Sequence, residues 1–177
     1  FLQTALTILT VWATTVSAQA DGVSSRPAEL LWEKAHQAFQ QGDYSLAEGQ
    51  YQEFLQRKTS SLEAAVALSN VLRMTGKYQN AINVLLNVEQ AGREDATWQR
   101  AMAGASRDVG KYAEALNHIE QADAFHPEHA PTILLRGQLL ETLGREDEAL
   151  AVYTRMETII EKNAYRRFSF IFRFLEA

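Results

Sequence analysis

Four glycines, Gly42, Gly76, Gly110 and Gly144, stand 34 residues apart with no insertion between them. The segments around them agree: QGDYSLA (41–47), TGKYQNA (75–81), VGKYAEA (109–115) and LGREDEA (143–149). Each places glycine, then usually tyrosine, then alanine in fixed columns. A constant period of this length marks a repeat array, in which one supersecondary unit buries its apolar surface only against its neighbours. Aligned on the glycines, the units are residues 28–61, 62–95, 96–129 and 130–163.

Within a unit, about fourteen residues precede the glycine and about fourteen follow a short turn, both with helical apolar spacing. Glycine falls where the first helix must stop, because it enters the left-handed region without a Cβ clash. Seven residues before it stand Ala35, Ser69, Ala103 and Gly137; five after it stand Ala47, Ala81, Ala115 and Ala149. Small side chains on both helices allow close approach of an antiparallel pair. Leu31, Leu68, Met102 and Leu140 from first helices, with Tyr51, Leu85, Ile119 and Tyr153 from second helices, are the expected filling. Tyr44, Tyr78 and Tyr112 can pack back over the turn.

These columns resemble the tetratricopeptide repeat, a 34-residue helix-turn-helix unit. The resemblance covers residues 28–163, and Pro127 fits the family's proline at the end of the second helix. Departures are local: no unit has the first-helix tryptophan in the usual column, Glu146 replaces the post-turn tyrosine, and Thr59, Arg93 and Glu161 occupy the proline place. The resemblance implies an all-α, right-handed α-solenoid of four repeats.

The flanks differ from the array. FLQTALTILTVWATTVSAQA (1–20) carries no charge and ends in small residues at Ala18 and Ala20, the pattern of a cleaved signal peptide. Cleavage is expected after Ala20, with residues 21–27 (DGVSSRP) as a linker. The opening on Phe1, with no basic stretch before the apolar run, reads as a shortened start. Residues 164–177 (AYRRFSFIFRFLEA) are expected to form a C-terminal helix, in register to open a fifth pair; alternating Phe168, Phe170, Phe172 and Phe174 also permit a strand.

Little in the sequence supports catalysis. The net charge of -5 argues against a nucleic-acid partner, and the absence of cysteine removes disulfides and thiolate chemistry. Gly104 to Lys111 superficially suggests a phosphate loop. Its glycines are one residue too far apart, however, and Tyr112 stands where a Ser or Thr is needed. His126-Pro-Glu-His129 lacks a reliable fourth metal ligand. No catalytic residue, metal or cofactor is expected, nor any stable membrane insertion after signal cleavage.

The family resemblance also implies that first helices line a concave groove. Positions spaced i, i+4 and i+7 share a helix face. The corresponding columns are Trp32, Val66, Arg100 and Leu134; His36, Asn70, Gly104 and Gln138; Phe39, Arg73, Arg107 and Glu141. The expected partner-binding residues are Trp32, His36, Phe39, Asn70, Arg73, Arg100, Arg107 and Gln138. An apolar stretch of the partner should lie near Trp32 and Phe39, and its carboxylates near the three arginines, with Gly104 leaving room for a backbone. The family's clamp for chaperone tails is not carried over: Trp32, His36, Ala67, Thr97 and Ala101 occupy its places, and none matches. The expected function is a non-enzymatic scaffold of the bacterial envelope, periplasmic or secreted, binding a protein or peptide in the groove. The alternative is the docking portion of a longer protein, with an enzymatic or membrane domain beyond Ala177.

Overall fold

The computed structural model describes the backbone of residues 27–175 and the side chains of residues 27–163. The proposed signal peptide and most of the linker lie outside the described residues. Among the described residues helix α1 covers 27–40. It is followed by α2 (Tyr44–Arg57), α3 (Leu62–Met74), α4 (Tyr78–Leu86), α5 (Glu89–Gly92), α6 (Ala96–Asp108), α7 (Tyr112–Phe125), α8 (Ala130–Thr142) and α9 (Glu146–Leu175). Among the described residues there is no strand. The architecture is an all-α solenoid.

All four periodic glycines have positive φ, between 71° and 82°. Each closes its first helix in the same way. The N–H three residues beyond the helix reaches back five residues, as from Asp43 to the Ala38 carbonyl and from Lys111 to that of Ser106, both at 2.9 Å. This satisfies carbonyls that the helix end would otherwise leave unpaired. The starts are fixed by side chains where the sequence supplies them: Asp43, Ser61 and Asp95 accept from backbone N–H groups of α2, α3 and α6.

The small-residue columns are at the helix–helix contacts. Ala35, Ala47, Ser69, Ala81, Ala103 and Ala115 are all fully buried. At Gly137 a Cβ would stand 2.3 Å from the Tyr153 ring, so the fourth pair can close only on glycine. The second helix of each unit also packs on the first helix of the next, as α2 on α3, α4 on α6, and α7 on α8. The result is a core in successive clusters, one including Ala35, Leu72, Leu85 and Met102, the next including Ala103, Ile119, Leu140 and Val152, with α6 contributing to both.

Two features depart from four equal hairpins. The second helix of unit 62–95 is broken: α4 stops at Leu86, and Val88, at φ -115°, separates it from α5. Trp98 of α6 explains the break. Its indole N–H donates to the Leu85 carbonyl at 3.0 Å, the acceptor that the Glu89 amide would need in an unbroken helix. The ring then lies where a Gly92 Cβ would be, 2.4 Å from its nearest atom. The other departure is α9, a single 30-residue helix. With neither glycine nor proline between Arg145 and Ala177, no residue forces a reversal near 161–163, and the backbone of 164–175 continues α9 instead of opening a new hairpin.

Candidate partner-binding face

The first helices α1, α3, α6 and α8 carry the eight residues singled out above, and α3 packs directly beside α6. At the α1 end, Trp32 is half-buried, edge-on to Tyr51 at 5.5 Å and tilted on Phe54 at 5.6 Å. Its ring therefore seals the first hairpin and also keeps an exposed edge. His36 is exposed and stacks on Trp32. Phe39, also half-buried, leans on Tyr44 across the turn at 5.8 Å.

The centre of the face is cationic and organised around a carboxylate not among the expected residues. Arg73 donates through Nε to Asp108 Oδ2 at 2.7 Å, and Arg107 donates to Asp108 Oδ1 at 3.0 Å. Asn70 Oδ1 accepts from Arg73 at 3.4 Å. Asp108 thus holds two guanidinium groups from successive repeats side by side, with three donors used on it and the remaining N–H groups left over. Arg73 is positioned further by Gly104. The room expected there for a ligand backbone is taken by the Arg73 guanidinium, whose Cζ lies 2.6 Å from where a Gly104 Cβ would be.

Arg100, one helical step nearer the start of α6, donates from Nη2 to Thr97 Oγ1 at 2.9 Å. Its Nη1 is buried and has no hydrogen-bond partner among the described residues. A buried guanidinium N–H without an acceptor is costly, so a rotation that turned Nη1 outward to a carboxylate would recover a hydrogen bond. At the α8 end, Gln138 is exposed, and Glu141 accepts from the Tyr153 hydroxyl at 3.0 Å. The structure therefore brings Asn70, Arg73 and Arg107 together around Asp108 on α3 and α6, while Arg100 stays with Thr97 near the start of α6. Trp32, His36 and Phe39 stay with the first hairpin, and Gln138 with the fourth.

The tetratricopeptide repeat profile matches residues 33–96 and 100–164. The chain belongs to the tetratricopeptide repeat family. No curated protein sequence matches it. Among solved structures, it is similar to a crystal structure of MamA (TM-score 0.72, 21% identity, 78% of this chain and 81% of that one). It is also similar to a tetratricopeptide repeat protein from Parabacteroides merdae (TM-score 0.68, 21% identity, 77% and 55%). A third is the OM64 tetratricopeptide domain from Arabidopsis (TM-score 0.63, 14% identity, 67% and 98%). At these identities the likeness concerns the fold alone.

Elsewhere in this repeat protein, polar groups serve the stacking. His129 precedes α8 and shares a 2.7 Å hydrogen bond with Thr132, and burial followed by the nearby Arg100 holds its pKa low. Among the described residues, no group of three or more histidine, cysteine or acidic side chains could hold a metal, and no helix is long and apolar enough to cross a membrane. Asp123, 6% exposed, is gripped by Arg136 at 3.1 Å and Arg155 at 2.6 Å, tying α7 to α8 and α9. Gln99, also buried, gives its amide hydrogens to the Arg93 carbonyl and to Gln121. Its oxygen must then accept, so His118, 2.7 Å away, carries its proton on Nδ1.

Proposed function

We propose that the chain is a non-enzymatic protein-binding module, taking an acidic segment of a partner on the first-helix face. One observation carries this reading: two guanidinium groups, Arg73 and Arg107, share the single carboxylate of Asp108 on α3 and α6, and a third, Arg100, stands nearer the start of α6 with a buried Nη1 that has no acceptor among the described residues. An excess of oriented cations on one face, within a chain of net charge -5, favours carboxylates and steers them by field as well as by contact.

The test is an array of acidic peptides, followed by titration of the best binder against wild type and the Arg100→Ala, Arg107→Ala double variant. Charge-assisted hydrogen bonds contribute about 1.5–3 kcal/mol, so affinity should fall about tenfold to a hundredfold, and wild-type binding should weaken with salt. Equal affinity of both proteins would move the partner to another surface. We further propose export to the periplasm or beyond, with a role in envelope assembly or secretion. The charge-free run of residues 1–20 ending in Ala18 and Ala20 supports it. Expression from the native start, followed by N-terminal sequencing, should yield Asp21; an intact leader would refute cleavage.

A further inference from the structure

The arginine cluster lies toward the ends of α3 and α6. Near the starts of the same two helices is an open cavity of about 350 Å³, lined by Leu62, Glu63, Val66, Asp95 and Thr97. Its lining is mostly apolar, and carboxylates flank it. Arg100 links the two regions, because its guanidinium donates to Thr97 at the cavity wall. We infer that this face reads a two-part signal: an apolar side chain of leucine size in the cavity, and a carboxylate at Arg73 and Arg107. The inference rests on the acidic-segment reading above and adds to it a second contact and a spacing.

The spacing follows from helix geometry. From Val66 to Arg73, or from Thr97 to Arg107, is seven to ten residues of α-helix, about 10–15 Å at 1.5 Å per residue. An extended segment covers that in about three to five residues at 3.3 Å each. The balance of charge also favours one polarity. At the cavity end two carboxylates, Glu63 and Asp95, outweigh the Arg100 guanidinium beside Thr97, whereas at the other end Arg73 and Arg107 outweigh Asp108, so a reversed occupant would put its acidic end on the more negative side. Thr97 is itself exposed, so the cavity can be filled without disturbing the hairpins.

The test uses two labelled synthetic peptides, LSSSEE and SSSSEE, in fluorescence anisotropy titrations at low salt. Wild type should bind the leucine peptide about tenfold more tightly, as expected for burying one such side chain. Thr97→Trp should abolish the difference between the two peptides, whatever it does to both through the lost Arg100 contact. Arg107→Ala should weaken both. Equal binding of the two peptides, or indifference of the leucine peptide to Thr97→Trp, would overturn the two-part signal and leave the acidic-segment reading standing. Binding of neither peptide, with the acidic array also blank, would overturn both.

Discussion

Trp98 and Leu85 are joined by a hydrogen bond that interrupts the helix to which Leu85 belongs. The indole N–H takes the Leu85 carbonyl at 3.0 Å, and the ring occupies the place of a Cβ at position 92. One side chain thus sets the shape of its neighbouring repeat, ends α4 early and fastens α5 against α6.

Two substitutions probe this junction. Trp98→Ala should cost about 3–5 kcal/mol, the range for truncating a fully buried aromatic. Gly92→Ala should cost about 1–3 kcal/mol through overpacking, because the added methyl would lie 2.4 Å from the ring. The two effects should not add, since the cavity left by Trp98→Ala accommodates the alanine methyl. Denaturant midpoints of the two single variants and the double variant measure the coupling. Simple additivity would show that the ring and Gly92 act independently.

Gly110→Ala isolates backbone strain. Nothing lies within 4 Å of a Cβ at this position, so sterics with neighbours contribute nothing, and φ of 82° supplies the whole penalty. About 1–2 kcal/mol is expected, the cost of left-handed backbone for a residue with a Cβ. Gly110→Asn should cost less, because asparagine enters that region more readily. Thermal unfolding of the three proteins checks the order.

Asp123→Ala should loosen the last repeat. The carboxylate is buried between Arg136 and Arg155, and its loss leaves two guanidinium groups facing each other. Breaking a fully buried pair costs about 3–5 kcal/mol, but both arginines keep about a third of their surface exposed, so roughly 2–3 kcal/mol is expected. Hydrogen exchange should quicken first in α8 and α9, ahead of α3 and α6. Uniform acceleration along the array would show that the clasp is not local.

How far the sequence could be read depended on whether a feature repeats. Gly42 and its three counterparts recur because each turn demands the same φ, and the buried Ala47 and Ala81 recur because each helix pair approaches equally closely. Periodicity therefore revealed the hairpins and their order. Asp108 follows no column: its partner Arg73 is 35 residues away, one step off the period, so the ion pair emerges only when α3 lies beside α6. The adjacent Arg107-Asp108 pair was the one available hint. Trp98 was equally opaque, because it lies outside the family's tryptophan column and acts on the preceding repeat. Gly104 looked like open space; the long Arg73 side chain, which sequence spacing cannot place, occupies it.

His118 gives the array a pH dependence with a definite sign. Burial lowers its pKa below the ordinary imidazole value of 6.5, against the smaller opposing pull of Glu114 and Glu89. Its Nδ1–H is committed to Gln99, and Trp98 meets the ring edge-on at 5.8 Å. A group whose folded pKa is depressed binds more protons when unfolded, so stability is full above 6.5 and falls as pH drops from there through the folded value. Below the folded value this contribution levels off, because both states are then protonated. His118→Gln cannot titrate, yet its amide can still donate toward Gln99. Urea midpoints measured from pH 8 to pH 5 should therefore decline more steeply below pH 6.5 in wild type than in the variant, although His129, shifted in the same direction, leaves some slope in both. Parallel curves would show that the imidazole stays as easily protonated in the fold as in the unfolded chain, and that the Gln99 contact does not hold it neutral.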